Sequence, residues 1–172
     1  MELKRTTDFE TVKAIYLDVI AHTPDMEKYA RWVYGQHPTD ETIRTYIDNG
    51  EMYLLTDGDA VAGIVAIVMH QDADYETVSW AEDLANDAVA TLHLLAVCPA
   101  FRGKRLGETI LEEAAALAKE NGKKALRLDT LRSNLPAQKM YDKTGFSYRG
   151  KQHLYAENTG WTDFQYYEKS LR

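Results

Sequence analysis

Residues 92–107 constrain this 172-residue chain more than any other stretch: Leu92-His93-Leu94-Leu95-Ala96-Val97-Cys98-Pro99-Ala100-Phe101-Arg102-Gly103-Lys104-Arg105-Leu106-Gly107. An apolar strand runs into a Pro stop, and a short basic turn bearing glycine follows. A long amphipathic pattern then begins. Leu106, Ile110, Ala114, Leu117 and Ala118 mark the buried stripe of a helix that stops at Asn121-Gly122. Another β-rich run covers 125–130. A strand, helix and strand of this length imply a parallel pair with a right-handed crossover. Where such a strand feeds such a helix, backbone N–H groups and the positive end of the helix dipole converge on one point. That point attracts an anion, typically a phosphate.

The rest of the chain supplies the scaffold. Residues 2–6 read as a strand. Thr7 or Asp8 caps a helix over 9–20, where Phe9, Val12, Ile15, Tyr16 and Val19 recur at helical spacing. Residues 25–35 read as a second helix or helical turn rich in aromatics, ending near Gly35. A helix over 40–48 stops at Asn49-Gly50. The β-rich runs 51–56 and 60–69 flank Asp57-Gly58-Asp59, a hairpin signal. Residues 70–90 read as a polar loop with some helix around 80–87, and the strand at 91–97 follows. Asn134 caps a short helix over 135–143 that tolerates Pro136 in its first turn and closes at Gly145. Residues 146–155 and 162–171 form two final strands joined through Asn158-Thr159-Gly160. The expected order is β-α-α-ββ-β-α-β-α-ββ, a mixed α/β sheet with helices on its faces and one domain over 1–172.

Composition narrows the partners. A formal charge of −7 argues against nucleic acid and is compatible with a cationic amine. No run of about 18 apolar residues predicts a membrane span, and no apolar core follows the charged start Met1-Glu2-Leu3-Lys4-Arg5. The single cysteine, Cys98, rules out an internal disulfide and a multi-cysteine zinc site, so a cytoplasmic location is the expectation. The 102–107 turn is neither a Walker P-loop, lacking Gly-Lys-Ser/Thr, nor G-x-G-x-x-G, with only Gly103 and Gly107.

A second constellation lies one strand further on: Asn134-x-x-Ala137-x-x-x-Tyr141-x-x-x-Gly145-Phe146. Together the two segments resemble the GNAT superfamily of acetyl-CoA-dependent N-acetyltransferases. Arg102-Gly103-Lys104-Arg105-Leu106-Gly107 matches its Arg/Gln-x-x-Gly-x-Gly/Ala signature, and the second segment matches the one whose Asn and Tyr face the coenzyme. The match in element order runs from residue 2 to 171; the residue-level match is strong over 92–146 and thin before it. One departure stands out: the family usually has Gly where this chain has Arg105.

The resemblance implies a mostly antiparallel sheet with a central splayed parallel pair, flanked by helices. It implies that Leu95, Ala96 and Val97 run beside the pantetheine arm, with the backbone groups of Leu95 and Val97 pairing with it. It also implies that the 102–107 turn holds the pyrophosphate and that Asn134 and Tyr141 contact the coenzyme. Tyr141 is the candidate general acid, since a phenol near pKa 10 can protonate a departing thiolate; a packed aromatic is its plain role. Asn134 also serves as a helix cap. His93 is the candidate base: an alkylamine is almost wholly protonated at pH 7, and only the neutral form attacks. A histidine bonded within the sheet is the ordinary reading of such a residue, and Glu82, Asp83 or a chain of waters are alternative bases. Cys98 packs at the strand end.

Trp32, Tyr34, His37 and Trp80 are candidate walls of an acceptor pocket, with Tyr155 and Trp161 near strand ends. Asp163 is a candidate partner for a cationic acceptor, and Lys123-Lys124 a candidate attractor of coenzyme. The expected activity is direct transfer of acetyl from acetyl-CoA to a primary amine of a small molecule, without a metal. A protein or peptide acceptor is the nearer alternative and a non-catalytic CoA-binding module the more distant one. Dimers are common among families similar to this one, so a homodimer is compatible with the reading.

Overall fold

A computed structural model describes all 172 residues. Seven strands form one sheet in the order β1-β2-β3-β4-β5-β7-β6. They are β1 (Glu2–Arg5), β2 (Met52–Asp57), β3 (Ala60–Val68), β4 (Val89–Val97), β5 (Ala125–Leu131), β6 (Ser147–Ala156) and β7 (Gly160–Ser170). Four helices accompany them: α1 (Phe9–His22), α2 (Asp40–Asp48), α3 (Leu106–Glu120) and α4 (Leu135–Lys143). Every neighbouring pair of strands is antiparallel except β4 and β5, which α3 joins as a crossover. This is the single mixed α/β sheet that the residue pattern predicts.

Two apolar layers sandwich the sheet. Ile110, Leu111 and Ala114 of α3, with Tyr141 of α4, pack against Leu92, Leu126 and Leu128 on one face. Val12, Tyr16 and Val19 of α1, with Ile43 of α2, pack against Leu54, Ile64, Ala66, Leu94 and Ala96 on the other. In β4 the alternation changes partway. Ala90 and Leu92 belong to the α3 layer, whereas Leu94 and Ala96 belong to the α1 layer.

A β-bulge causes the switch. Ile64 pairs with Ala96 and Ala66 with His93, so one residue of β3 lies opposite two of β4. Leu94 adopts φ 53, left-handed backbone that a branched side chain strongly disfavours. The buried Tyr16 hydroxyl donates to the Leu94 carbonyl at 2.8 Å and holds the bulge. Beyond it the parallel ladder ends: β4 and β5 pair from Val89/Ala125 to Leu92/Leu128 and no further. The two strands then splay apart.

Two expected helical stretches differ. Residues 25–35 form successive turns and a Val33–His37 bridge rather than a helix. Asp25 and Arg31 both take φ 57, which a continuous right-handed helix excludes. Residues 80–87 are irregular, with short 3₁₀ turns at Ala73–Tyr75 and Asn86–Ala88 instead. There the backbone N–H of Trp80 goes to the Val78 carbonyl and that of Ala81 to Glu168 Oε1 rather than to a helical ladder.

Tyr16→Phe keeps the ring but leaves the bulge carbonyl without its donor. The expected result is a stability loss of about 1–2 kcal/mol in chemical denaturation. An unchanged midpoint would mean that the bulge does not depend on this bond.

Candidate active site

The splay opens a cavity of about 490 Å³. Leu92–Val97 form one wall and Leu128–Leu131 the other. The polarity of the gap follows from the ladder. Cys98 N–H donates to Ala62 O at 2.9 Å, so in the β3–β4 register residues 98 and 96 point their backbone groups at β3. Residues 95 and 97 therefore turn their N–H and C=O groups the other way, into the gap that β5 has vacated. Ala96 lines the cavity, but its backbone is matched with Ile64.

The turn after β4 reaches the cavity through Arg102, and residues 103–107 do not line it. Arg102 lines the cavity and donates to the His22 carbonyl at 2.8 Å and to Thr23 Oγ1, tying the turn to the end of α1. Gly103 takes φ 82, and the Lys104 ammonium lies 5.4 Å from the Phe101 ring centroid. Arg105, where the family usually has Gly, adopts φ 59, the left-handed conformation that glycine accommodates without strain. Its side chain pairs with Glu108 in the first turn of α3, at 2.6 Å. Leu106 is buried in the core, and Gly107 abuts α4 so closely that an added Cβ would meet Met140 Sδ at 2.5 Å. Gly107 thus serves helix packing, which makes steric clash within the protein the first effect of enlarging it.

Helix capping sets α3 apart. Asp8, Thr39 and Asn134 cap α1, α2 and α4 with their side chains, whereas no side chain caps α3. The first N–H groups of a 15-residue helix are left for another acceptor.

Tyr141 lies between the splayed strands and the α3 layer, 7% exposed, and its hydroxyl makes no hydrogen bond within the protein. Burial, reinforced by the negative charge of Asp129, raises its pKa, so it keeps its proton. Asn134 lines the same cavity while its Oδ1 accepts from Ala137 N–H at 3.4 Å.

His93 stands where this cavity meets a second, polar one of about 380 Å³, lined by Glu41, Glu51, His70 and Asp72. Its ring stacks on Tyr46 and meets Tyr75 edge-on. The hydrogen bonds fix its tautomer. Thr91 Oγ1 gives its proton to the His70 carbonyl at 3.0 Å, so at 3.2 Å it accepts from His93 Nε2–H. Nδ1 then carries the lone pair. Burial lowers the pKa of His93 below 6.5, against the opposing pull of Asp129, and the neutral ring prevails at pH 7. The pKa of His37, which also lines the cavity, is lowered for the same reason.

Other expected residues divide. Trp32 lines the cavity and meets Tyr16 edge-on. Tyr34 lies outside it, its hydroxyl bonded to Asp40 beside Lys13. Trp80 stands behind Tyr75, stacked between it and Arg127, and does not reach the cavity. Tyr155 and Trp161 are exposed on the β6–β7 hairpin, with His153 stacked on Trp161. Asp163 is occupied by Arg132, Lys151 and His153. Glu82 and Asp83 do not line the cavity; the Glu82 carboxylate pairs with Arg172. Lys123 and Lys124 follow the C-terminal end of α3, opposite the turn. Cys98 packs at the strand end, buried and outside the cavity.

Asp129 is the main residue that the sequence reading missed. It lines the cavity wall on β5 and accepts from the Tyr75 hydroxyl. Its signal was present: an aspartate inside the apolar strand Ala125–Leu131, where acidic residues are depleted. Glu157, Asn158 and Thr159 cover the far end. There Arg31 Nη2 donates to Thr159 O at 3.0 Å, and Asn158 Nδ2 donates to Arg31 O at 2.8 Å. No three His, Cys, Asp or Glu side chains converge as a metal-binding set, and no helix is long and apolar enough to cross a membrane.

Lowered histidine pKa values tie stability to pH. Below about 6.5 the unfolded chain takes up protons at His37 and His93 that the folded state resists, so stability falls as acidity increases through that window. Thermal denaturation should show a smaller loss between neutral and mildly acidic pH in His93→Gln than in the native chain. An identical loss would mean that His93 is not held neutral.

Comparison with known proteins bears on this geometry. A family model described as the acetyltransferase (GNAT) family matches residues 18–146. A Bacillus subtilis (strain 168) protein assigned as a ribosomal-protein-alanine N-acetyltransferase is 38% identical over 65 residues, 37% of this chain. The chain matches 43% of that relative's length. Among solved structures, a GNAT-family acetyltransferase from Listeria monocytogenes superposes with a TM-score of 0.72 at 26% identity, covering 98% of this chain and 94% of that one. An assigned acetyltransferase from Salmonella typhimurium, solved with its cofactor acetyl-CoA, gives 0.71 at 16% identity, with 100% and 94% coverage. A ribosomal-protein-alanine N-acetyltransferase from Brucella melitensis gives 0.71 at 17%, with 99% of each chain covered. The last two likenesses show the fold alone.

Proposed function

The chain belongs to the acetyltransferase (GNAT) family, and from that premise we propose that it transfers an acetyl group from acetyl-CoA to the primary amine of a small molecule. The splayed gap, with the Leu95 and Val97 backbone groups turned into it and an uncapped helix end after the Arg102 turn, fits an extended arm ending in a pyrophosphate. Acetyl-CoA supplies an acetyl thioester.

The chain's own residues do the rest. An N–H of Leu95 facing the gap offsets charge that builds on the carbonyl oxygen, the kind of donor whose loss typically costs about 10²–10³ in rate. His93 Nδ1, with its lone pair free, takes the proton that the amine loses on attack. Tyr141, protonated and unbonded, gives a proton to the departing sulfur. Asp129 provides a negative charge beside the aromatic walls of Trp32 and Tyr46, suited to drawing in an ammonium ion.

The observation that carries the small-molecule reading is the roof. The 24–37 segment is bound to the β6–β7 turn by the reciprocal Arg31–Thr159 and Asn158–Arg31 bonds. A roof over that end of the cavity suits a short amine better than a folded protein's chain end. The partial likeness to the Bacillus subtilis relative favours a second reading, an alanine at a protein N-terminus.

An acetylation panel of polyamines, arylalkylamines and alanine-initiated peptides separates these. The expected result is higher kcat/KM for small amines. Preference for peptides would overturn the acceptor assignment. Binding of acetyl-CoA without turnover of any amine would leave a CoA-binding module. Tyr141→Phe should lower kcat by about tenfold or more with little change in acetyl-CoA affinity; equal losses in both would make Tyr141 a packing residue.

A further inference from the structure

Arg127 has no part in the chemistry described so far, yet its side chain is fully buried in the middle of β5. A buried guanidinium is costly to maintain unless its N–H groups are answered. Here Nε donates to Glu168 Oε2 at 2.7 Å, Nη1 to Gln71 Oε1 at 2.7 Å and Nη2 to the Glu82 carbonyl at 3.0 Å. The Trp80 ring lies over it, 4.2 Å from the guanidinium carbon to the ring centroid.

Three of these four partners, Gln71, Trp80 and Glu82, lie in the stretch between β3 and β4. That stretch has only two short 3₁₀ turns of its own. Further bonds spread from the same centre. Gln71 Nε2 donates to Asn86 Oδ1, Ala81 N–H to Glu168 Oε1, and Trp80 Nε1–H to the Tyr75 carbonyl at 2.7 Å. Arg127 is thus the hub that fixes this loop to the sheet.

The loop delivers one residue to the back of the cavity wall, against Asp129 and His93. Tyr75, 4% exposed, stacks on Trp80, meets the rings of His93 and Tyr166 edge-on, and donates its hydroxyl to Asp129 Oδ1. Asp129 lies two residues after Arg127 on the same strand, and so on the same face. The guanidinium and the carboxylate are joined by the chain Arg127–Trp80–Tyr75–Asp129.

We propose that Arg127 is a positioning residue for the acceptor half of the reaction, acting through Trp80 and Tyr75 to hold the Asp129 carboxylate beside His93. The proposal rests on the acetyl-transfer reading of the cavity. Neither Arg127 nor Tyr75 lines the gap between β4 and β5, so the coenzyme side does not depend on them.

The test compares Tyr75→Phe, Arg127→Met and the double variant with the native chain. It measures steady-state acetylation of the best amine from the panel, acetyl-CoA affinity by calorimetry, and Tm. Tyr75→Phe removes one hydroxyl and keeps the stacked ring. Each single variant should lower kcat/KM for the amine by about tenfold to a hundredfold, as misplacement of a reacting group does. Acetyl-CoA affinity should stay within about twofold, and the double variant should be no worse than Arg127→Met, because both changes break one chain.

Multiplying losses in the double variant would overturn the proposal. So would an unchanged amine kcat/KM in Tyr75→Phe, or acetyl-CoA affinity that falls in step with activity. If Arg127→Met does not fold, Gln71→Ala takes its place, with the same expected pattern. A native chain inactive on every amine would instead defeat the acetyl-transfer reading, an outcome visible before any variant is made.

Discussion

The hydrogen bond from Tyr16 to the Leu94 carbonyl supports the feature on which the site depends. It stabilises a single extra residue in β4, held at φ 53 against the preference of a leucine. That residue reverses the alternation of the strand, sending Leu94 and Ala96 to the α1 layer and Leu95 and Val97 toward α3. It also coincides with the end of pairing between β4 and β5. A regular strand would have continued the parallel ladder and closed the gap. One buried phenol thus links the packing of α1 to the backbone groups that a pantetheine arm would meet.

Polar groups divide across the splay as the proposed reaction asks of each side. Toward α3 and α4 there are backbone donors, an uncapped helix end and a tyrosine that stays protonated. On the side proposed for the acceptor there are a neutral histidine, a carboxylate and aromatic walls. Burial sets both protonation states in useful directions. It raises the phenol of Tyr141, making it a proton donor, and lowers the imidazole of His93, making it an acceptor. The sheet separates the two while leaving them on one cavity.

The sequence disclosed what local chemistry dictates. Asp8 and Asn134 carry their caps, the Gly58 turn joins its hairpin, and the α3 stripe and the crossover between parallel strands lie where apolar spacing puts them. It misled where tertiary bonds overrule local preference. The aromatic stretch 25–35 reads as helical, yet Arg31 turns left-handed and ties both its side chain and its carbonyl to the β6–β7 turn. Trp80 reads as a pocket wall, but its ring covers Arg127, a charge buried by partners scattered over residues 71–168. The bulge at Leu94 was invisible, because nothing in a run of leucines announces that one of them is forced into glycine's conformation. Asp129 announced itself only as an acidic residue inside an apolar strand.

Amide hydrogen exchange on β4, with and without acetyl-CoA, tests the splayed-gap site most directly. Leu95 and Val97 N–H groups should exchange readily in the free protein and become protected on binding, whereas Ala96 and Cys98, already turned toward β3, should be protected in both states. Saturating acetyl-CoA that leaves the exchange at Leu95 and Val97 unchanged would contradict the assignment of this gap as its seat.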